Sequence, residues 1–323
     1  MRWFRCVFQT SLVVILAIHG SGRAAEADLY LPADAALVWN INVQQLLGSA
    51  VAKEYLLDII KSAIQDNQQV RAVLESLGFD PLRDVTSVTI AGPNLEGKSD
   101  KGLVIVRGRF NLPKFHARAE EAAKQGTLVK VHSTPEGRIY EVTPPDEKQP
   151  IYGALLDGGV LVLSPNKSYV SEALERKAGK KAPGISQELR DLLAKADFQQ
   201  TMSFVALGET LGQVPIGDPE KTKAAASRIK TLMASMHVTD QVKMELVLAA
   251  KNPADAKELS KGASTGIQQL KGFISLFAAS QPDLAPLIDV ANTFKVSSAG
   301  NAVTITGHVN KESIEKLGKL TGK

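Results

Sequence analysis

Several short stretches of the chain alternate hydrophobic with polar residues, and this period of two is typical of β-strands. Between residues 242 and 248, for example, apolar side chains alternate with Lys243 and Glu245. Such strands are polar on one side, so we expect antiparallel sheets that are covered on one face only. The stretches are 39–43, 242–248 and 303–306, and turns at Asp157-Gly158 and Gly300-Asn301 predict two hairpins.

Other stretches repeat apolar residues every three or four positions, which is typical of amphipathic helices. Each of these apolar stripes is expected to cover a sheet. The three stripes are Tyr55, Ile59, Ile60 and Ile64; Ile229, Leu232, Met233 and Met236; and Ile267, Leu270, Ile274 and Phe277. Four predicted helices are also preceded by a residue suited to capping the first turn, namely Asn111, Asn166, Asn252 and Asn310.

Strands and helices together predict an α+β fold of two related halves, each a mainly antiparallel sheet covered on one face by helices. The order of elements in residues 35–178 is loosely repeated in 200–320, which suggests an internal repeat. We therefore divide the mature chain into a first half at 28–178, a linker at 179–184 and a second half at 185–323. The linker has the sequence Gly-Lys-Lys-Ala-Pro-Gly, whose glycines and proline are typical of a boundary.

Residues 1–27 have the pattern of an export signal. Arg2 and Arg5 precede an apolar stretch, and small residues then lead to the A-x-A site at 25–27. The apolar stretch is shorter than the roughly 20 residues that span a bilayer, and no later segment supplies such a run. We therefore expect a mature chain without a transmembrane span, soluble in the periplasm or outside the cell.

The charge and cysteine content narrow the possible functions. The full chain has 38 basic and 34 acidic residues, and removal of Arg2, Arg5, Arg23 and Glu26 leaves 35 and 33, a net charge of about +2. This balance gives no support for binding nucleic acid or an anionic membrane surface. Cys6 is the only cysteine and lies in the signal, so the mature chain is cysteine-free and has no disulfide or cysteine metal ligand.

Two short motifs give the chain a resemblance to a group of exported, uncharacterised bacterial proteins. They are the segment Leu29-Tyr30-Leu31-Pro32-Ala33-Asp34 before the first strand and the turn Leu77-Gly78-Phe79-Asp80-Pro81-Leu82-Arg83-Asp84-Val85. The resemblance covers residues 30–175 and implies an envelope or secreted α+β protein. It supplies no catalytic residue. The turn also has a simple local explanation, because Gly78 can end a helix and Asp80-Pro81 can start a turn into the next strand.

One enzymatic alternative is a serine hydrolase. Residues 262–266 match G-x-S-x-G, and Ser264, Asp289 and His308 follow in the order of the α/β-hydrolase triad. That motif requires a strand to end at the serine, whereas residues 254–261 have a helical pattern after Asn252-Pro253. The helical pattern therefore argues against the hydrolase, which we keep as the alternative.

The leading hypothesis is a non-enzymatic binding protein whose partner is an unknown envelope or extracellular component. We predict no cofactor because nucleotide-binding glycine motifs are missing, and no metal site because His116, His132, His237 and His308 are far apart in the sequence. The polar sides of the predicted strands offer a candidate binding surface, for which we name Asn40, Asn42, Lys243 and Glu245.

Overall fold

The computed structural model describes residues 29–66, 68–94, 101–124, 129–143, 149–212 and 219–320. Over these residues the chain has an α+β fold, as predicted, with one twelve-stranded antiparallel sheet and helices packed on both of its faces. The predicted signal at 1–27, including Cys6, lies outside the described residues.

The strands are β1 (Leu37–Asn42), β2 (Val85–Gly92), β3 (Leu103–Gly108), β4 (Val129–Thr134), β5 (Gly137–Val142), β6 (Ile151–Asp157), β7 (Val160–Ser164), β8 (Met202–Leu207), β9 (Ile229–Val238), β10 (Val242–Ala250), β11 (Lys295–Ala299) and β12 (Ala302–Val309). The helices are α1 (Val43–Gly48), α2 (Ala50–Tyr55), α3 (Leu57–Asp66), α4 (Gln68–Leu77), α5 (Pro81–Asp84), α6 (Leu112–Lys124), α7 (Lys167–Lys177), α8 (Gln187–Leu193), α9 (Gly208–Leu211), α10 (Pro219–Ala226), α11 (Pro253–Ser280), α12 (Ala285–Thr293) and α13 (Lys311–Leu320). A 3₁₀ turn at Pro282–Leu284 joins α11 to α12.

The two halves of the chain occupy the two ends of this one sheet. Its strand order is β11-β12-β10-β9-β8-β1-β2-β3-β7-β6-β5-β4, so the first half supplies seven strands, the second half supplies five, and the halves meet where β1 pairs with β8. Leu37 of β1 lies opposite Ala206 of β8, and the two strands are antiparallel. The division into halves therefore falls at a strand pair inside the sheet, and their existence as separable domains stays a prediction.

Both halves repeat one order of strands, starting from the junction of β1 with β8. In the first, β1 is followed by β2 and β3, and the chain returns through β7 to pair with β3. In the second, β8 is followed by β9 and β10, and the chain returns through β12 to pair with β10. The first half adds one hairpin to this plan, since four strands follow α6 whereas two follow α12.

Helices cover both faces of the sheet. We call the side of Val38 and Ile105 the front face and the side of Trp39 and Leu246 the back face. On the front face, α7, α8 and the segment before β1 cover the strands of the first half and β8. On the back face, α6 packs on Tyr140 of the first half, and the start of α11 packs on the second half, where Ala256 and Leu259 contact Leu248 and neighbouring residues. Lys243 and Glu245 of β10, on the front face of the second half, are exposed.

The predicted linker at 179–184 is held by contacts with the first half. Lys180 pairs with Glu136 at 2.8 Å, and Lys181 pairs with Glu172 at 3.0 Å. The fully buried side chain of Arg176 also donates to the carbonyl oxygen of Ala182 at 3.5 Å. Ile185, which follows the linker, belongs to the core of the first half. All six residues of the segment are exposed, and these contacts attach it to the first half.

The predicted caps and hairpins are confirmed. The side-chain oxygens of the four asparagines accept backbone N–H hydrogen bonds from Lys114, Ser168, Asp255 and Ser313, at 2.8 to 3.1 Å. The turns at 157–158 and 300–301 join β6 to β7 and β11 to β12. These short-range signals set the ends of the elements correctly.

The predicted helix at 229–236 is wrong. These residues form β9, which pairs with β8 on one side and β10 on the other. The apolar residues of this ten-residue stretch fit the period of a helix as well as that of a strand. Pairing with both neighbouring strands makes the stretch a strand. A second difference concerns Trp39, which the alternation in 39–43 puts on the apolar, core-facing side of its strand. Its side chain is 39% exposed on the back face.

Candidate binding surfaces

The front face of β10, β11 and β12 carries exposed polar side chains. Directly opposite residues of antiparallel strands project on the same side of a sheet. A single row of polar residues therefore crosses seven strands of the front face: Thr89, Asn40, Ser203, Ser235, Glu245, Thr306 and Lys295. Thr89 and Ser203 are buried and Asn40 is partly buried, whereas Glu245 and Lys295 are exposed to solvent.

The four residues named as a candidate surface all lie on this front face, but they differ in what they do there. Asn40 accepts a hydrogen bond from the hydroxyl of Thr89 at 2.9 Å, and Asn42 caps α1 by accepting from the N–H of Gln45 at 3.2 Å. Both asparagines thus have structural partners. Lys243 and Glu245 are exposed and line a cleft of about 870 Å³. Their role in binding stays a prediction.

Two histidines that are far apart in the sequence flank Lys243 in this cleft. Lys243 lies opposite His237 of β9 and opposite His308 of β12. The ring of His237 is held by Gln45, whose amide nitrogen Nε2 lies 3.2 Å from Nδ1. Sequence reasoning missed this grouping because its residues come from three strands and no local motif joins them. The described residues contain no group of three potential metal ligands.

The residues of the hydrolase alternative are not assembled into a triad site. Ser264 lies in the interior of α11, a helix of 28 residues, and is exposed. Gly262 and Gly266 are also within the helix, so the required strand, tight turn and helix are absent at this motif. Asp289 and His308 both line the front-face cleft, whereas Ser264 does not. The G-x-S-x-G match therefore does not form a nucleophile elbow.

We expect Ser264 to be chemically inert, because an exposed helical serine has neither an activating base nor an oxyanion hole. A fluorophosphonate probe should leave the folded protein unlabelled, as judged by intact mass. Replacement of Ser264 by Ala should change the free energy of unfolding by less than about 1 kcal/mol. Labelling of Ser264 that is lost in His308→Ala would contradict this expectation.

The turn at 77–85, on which the sequence resemblance rests, has a structural role. Asp80 caps α5 by accepting from the N–H of Leu82 at 3.0 Å, and Asp84 is 5% exposed. The Arg83 guanidinium donates two hydrogen bonds to Asp84, each 2.9 Å long, and the N–H of Asp80 donates a third. These contacts, with Arg109 nearby, lower the pKa of Asp84 to about 2. The carboxylates therefore hold the chain, and no cation is needed to explain them.

The distal half of α11 has the most exposed apolar surface on the described helices. Four large side chains there are between 43% and 72% exposed: Leu270, Phe273, Leu276 and Phe277. The rings of Phe273 and Phe277 contact each other, with centroids 4.5 Å apart. Their spacing puts them on adjoining turns of one side of the helix. We call this group the apolar patch. Contiguous exposed apolar groups mark interaction surfaces in water-soluble proteins.

The end of α11 that carries the patch lies at one end of the sheet. A helix of 28 residues is about 42 Å long, whereas the nine residues of β10 extend about 31 Å. Since α11 starts at the end of β10 and runs back over it, its last turns overshoot the strand. The 3₁₀ turn after α11 contacts α13, which begins at the end of β12.

A second set of exposed apolar residues lies at the same end of the sheet. The N–H of Val51, at the start of α2, donates to the carbonyl oxygen of Thr239 in the turn between β9 and β10. Gly318 of α13 packs against Tyr55 of α2, where an added Cβ atom would lie 2.3 Å from the ring. The next helix, α3, begins after Leu56 and exposes 59% of Ile59. Helices α3 and α11 thus present apolar residues at one end of the molecule.

No described helix has both the length and the hydropathy required to cross a membrane. No protein-family model and no curated protein matches this chain. Among solved structures, the chain is similar to three crystal forms of TP0453. Form III has a TM-score of 0.49 at 10% identity, over 90% of this chain and 97% of its own. Form IV has a TM-score of 0.45 at 10% identity, over 91% of this chain and 96% of its own. Form I has a TM-score of 0.45 at 12% identity, over 90% of this chain and 96% of its own. This distant likeness concerns the course of the chain and carries no functional argument.

Proposed function

We propose that the protein is an exported, non-enzymatic binding protein that attaches to a lipid surface through the apolar patch of α11. The observation that carries the proposal is the exposure of Leu270, Phe273, Leu276 and Phe277 on one side of a long helix. Export is supported by the signal pattern at 1–27, which would bring the mature chain to the envelope.

The energy available from the patch suits reversible attachment. Each side chain is about half exposed, so transfer of its exposed part to hydrocarbon is favourable by about 1 kcal/mol. Four such residues give a few kcal/mol, enough for weak association and too little for permanent anchoring. The apolar residues of α3 would add to this if both helices reach the same surface.

The charge of the helix favours an anionic lipid surface over another apolar partner. From Leu259 to Ser280, the only charged residues of α11 are Lys261 and Lys271. Lysines beside an inserted apolar face are attracted to anionic headgroups by about 1 kcal/mol each. The small net charge of the whole chain does not oppose this, because the attraction depends on charges close to the surface.

The test is sedimentation of the mature protein with vesicles made from equal parts of phosphatidylcholine and phosphatidylglycerol. We expect the protein to sediment with the vesicles, and the combined variant Phe273→Ser, Leu276→Ser and Phe277→Ser to bind at least tenfold more weakly. The matched control is Val142→Ser with Ile151→Ser. This exposed apolar pair on β5 and β6 lies away from the patch, and its loss should leave binding unchanged.

Two results would overturn the proposal. One is wild-type protein that remains in the supernatant with these vesicles. The other is a patch variant that binds vesicles as well as wild type does. If the patch variant instead converts a wild-type dimer into a monomer, as measured by sedimentation velocity, the patch is a contact between copies of the chain.

A further inference from the structure

The front-face cleft is a second surface that the lipid-binding proposal does not use. Its floor is formed by β9, β10 and β12, and residues near the end of α12 and the segment before β8 form its rim. It has a volume of about 870 Å³ and is open to solvent. Phenylalanine, tyrosine and tryptophan are absent from its lining. A site of this size and shape fits a polar oligomer of several units better than a small apolar ligand.

Three side chains that can donate hydrogen bonds from nitrogen form a row across the floor of the cleft. Lys243 occupies the middle, with His237 and His308 directly opposite it on the neighbouring strands. Cβ atoms of such cross-strand neighbours are about 5 Å apart, so an anion above Lys243 lies within reach of the side chains on both sides. Lys295, Glu245 and Asp289 also line the cleft but lie outside the row.

The ring of His237 is oriented by a contact behind it. Gln45 of α1 donates from Nε2 to Nδ1 of the ring, which places the ring proton on Nε2. The remaining nitrogen is then a hydrogen-bond donor for a ligand in the cleft. The Oε1 atom of Gln45 is buried and has no partner, an arrangement that costs stability. Gln45 therefore acts as a positioning residue for His237.

The position of His308 is fixed as well. The Thr293 hydroxyl accepts from the N–H of His308 at 2.9 Å and donates to its carbonyl oxygen at 2.8 Å. This pair of bonds lies two residues beyond the last ladder pair of β11 and β12, Lys295 and Thr306, so the strand is held where His308 enters the cleft. The backbone of His308 is thus held in place, as is the ring of His237, and this lowers the entropy lost when a ligand binds.

Five further residues of the lining supply neutral hydrogen-bonding groups. Ser235 and Thr306 provide hydroxyls on the floor, and Gln200, Gln241 and Asn292 provide amides around it. Hydroxyls and amides both donate and accept, which matches the hydroxyl groups of a sugar. We propose that the cleft binds an acidic oligosaccharide, with a carboxylate of the sugar on the row formed by Lys243, His237 and His308.

The test is isothermal titration of the mature protein with tri-galacturonic acid, a carboxylate-bearing trisaccharide. We expect saturable binding that weakens at least tenfold in Lys243→Met. Gln45→Leu should weaken it about threefold, since the variant leaves the row in place but frees the ring of His237. The control is Lys257→Met on α11, which removes an exposed lysine away from the cleft and should bind as wild type does.

Two comparison ligands separate this proposal from simpler explanations. Neutral galactotriose should not bind detectably, and acetate at the same carboxylate concentration should not compete. The proposal is overturned if tri-galacturonate fails to bind, if Lys243→Met binds it normally, or if either comparison ligand matches it. Lys243→Met should bind vesicles as wild type does. Failure of the oligosaccharide proposal would therefore leave the lipid-binding proposal standing, and the reverse is also true.

Discussion

Replacement of Gly208 by Ala should destabilise the protein by at least about 3 kcal/mol. Gly208 begins α9 directly after β8, and a Cβ atom there would lie 1.9 Å from the carbonyl oxygen of Ile229. That carbonyl belongs to the backbone of β9 and cannot turn away as a side chain could. Ile229 is paired with Ala250 of β10, and Arg228 before it accepts from the N–H of Lys251. Relief of the clash would therefore disturb three neighbouring strands.

The measurement is urea unfolding followed by tryptophan fluorescence, and Gly262→Ala provides the matched control. Gly262 is an exposed glycine inside α11 with no atom within 4 Å of an added Cβ. The same substitution there should stabilise the protein by up to about 1 kcal/mol, because alanine favours the helix. Equal stability of Gly208→Ala and wild type would show that β8 and β9 are farther apart than described.

Replacement of Asp84 by Asn should lower the free energy of unfolding by about 2 kcal/mol at pH 7. The pKa of Asp84 is lowered to about 2, chiefly by the hydrogen bonds from Arg83. A carboxyl group with a lowered pKa stabilises the fold above its unfolded pKa of about 4, and this stabilisation is lost as the pH falls towards 2. Asparagine keeps the shape of the side chain but not its charge, so the variant loses the stabilisation that the carboxylate provides.

The pH dependence distinguishes this charge effect from a packing defect. The difference in stability between wild type and Asp84→Asn should be constant from pH 7 to 5 and should narrow by about half near pH 3. A difference that stays constant to pH 3 would contradict the assigned pKa. Glu121→Gln removes a carboxylate that is 53% exposed and pairs with Arg118 on the same helix. Its effect should be at most about 0.5 kcal/mol at any pH.

The sequence features that predicted the fold well are the ones that act over short distances. The caps at Asn166 and Asn252 and the turn at Asp157-Gly158 depend on a few neighbouring residues, and each lies where it was expected. Alternation in 242–248 likewise identified β10 and its polar side. The α+β class and the antiparallel sheet follow from these signals, since hairpins and one-sided strands leave few alternatives.

The features that the sequence did not predict depend on partners far along the chain. Residues 229–238 fit a helix by spacing, and only the neighbouring strands make them β9. The third predicted helix is correct, but the expectation that its stripe covers a sheet fails at Leu270 and Phe277, which remain exposed. The row of His237, Lys243 and His308 comes from three strands, so no spacing in the sequence could reveal it.

The pairing of β1 with β8, where the two halves meet, has a consequence for the order in which the chain acquires structure. β1 is the first strand to be synthesised, yet one of its two neighbours is the eighth. Until residue 207 is available, the first half presents β1 as an open edge that carries Val38 and Trp39. Open apolar edges pair readily with other chains, so association of incomplete chains is one hazard. Contacts between residues far apart in the sequence form slowly, so slow folding is the other. The hazard of association ends once β8 pairs with β1, because β1 then has a neighbouring strand on each side.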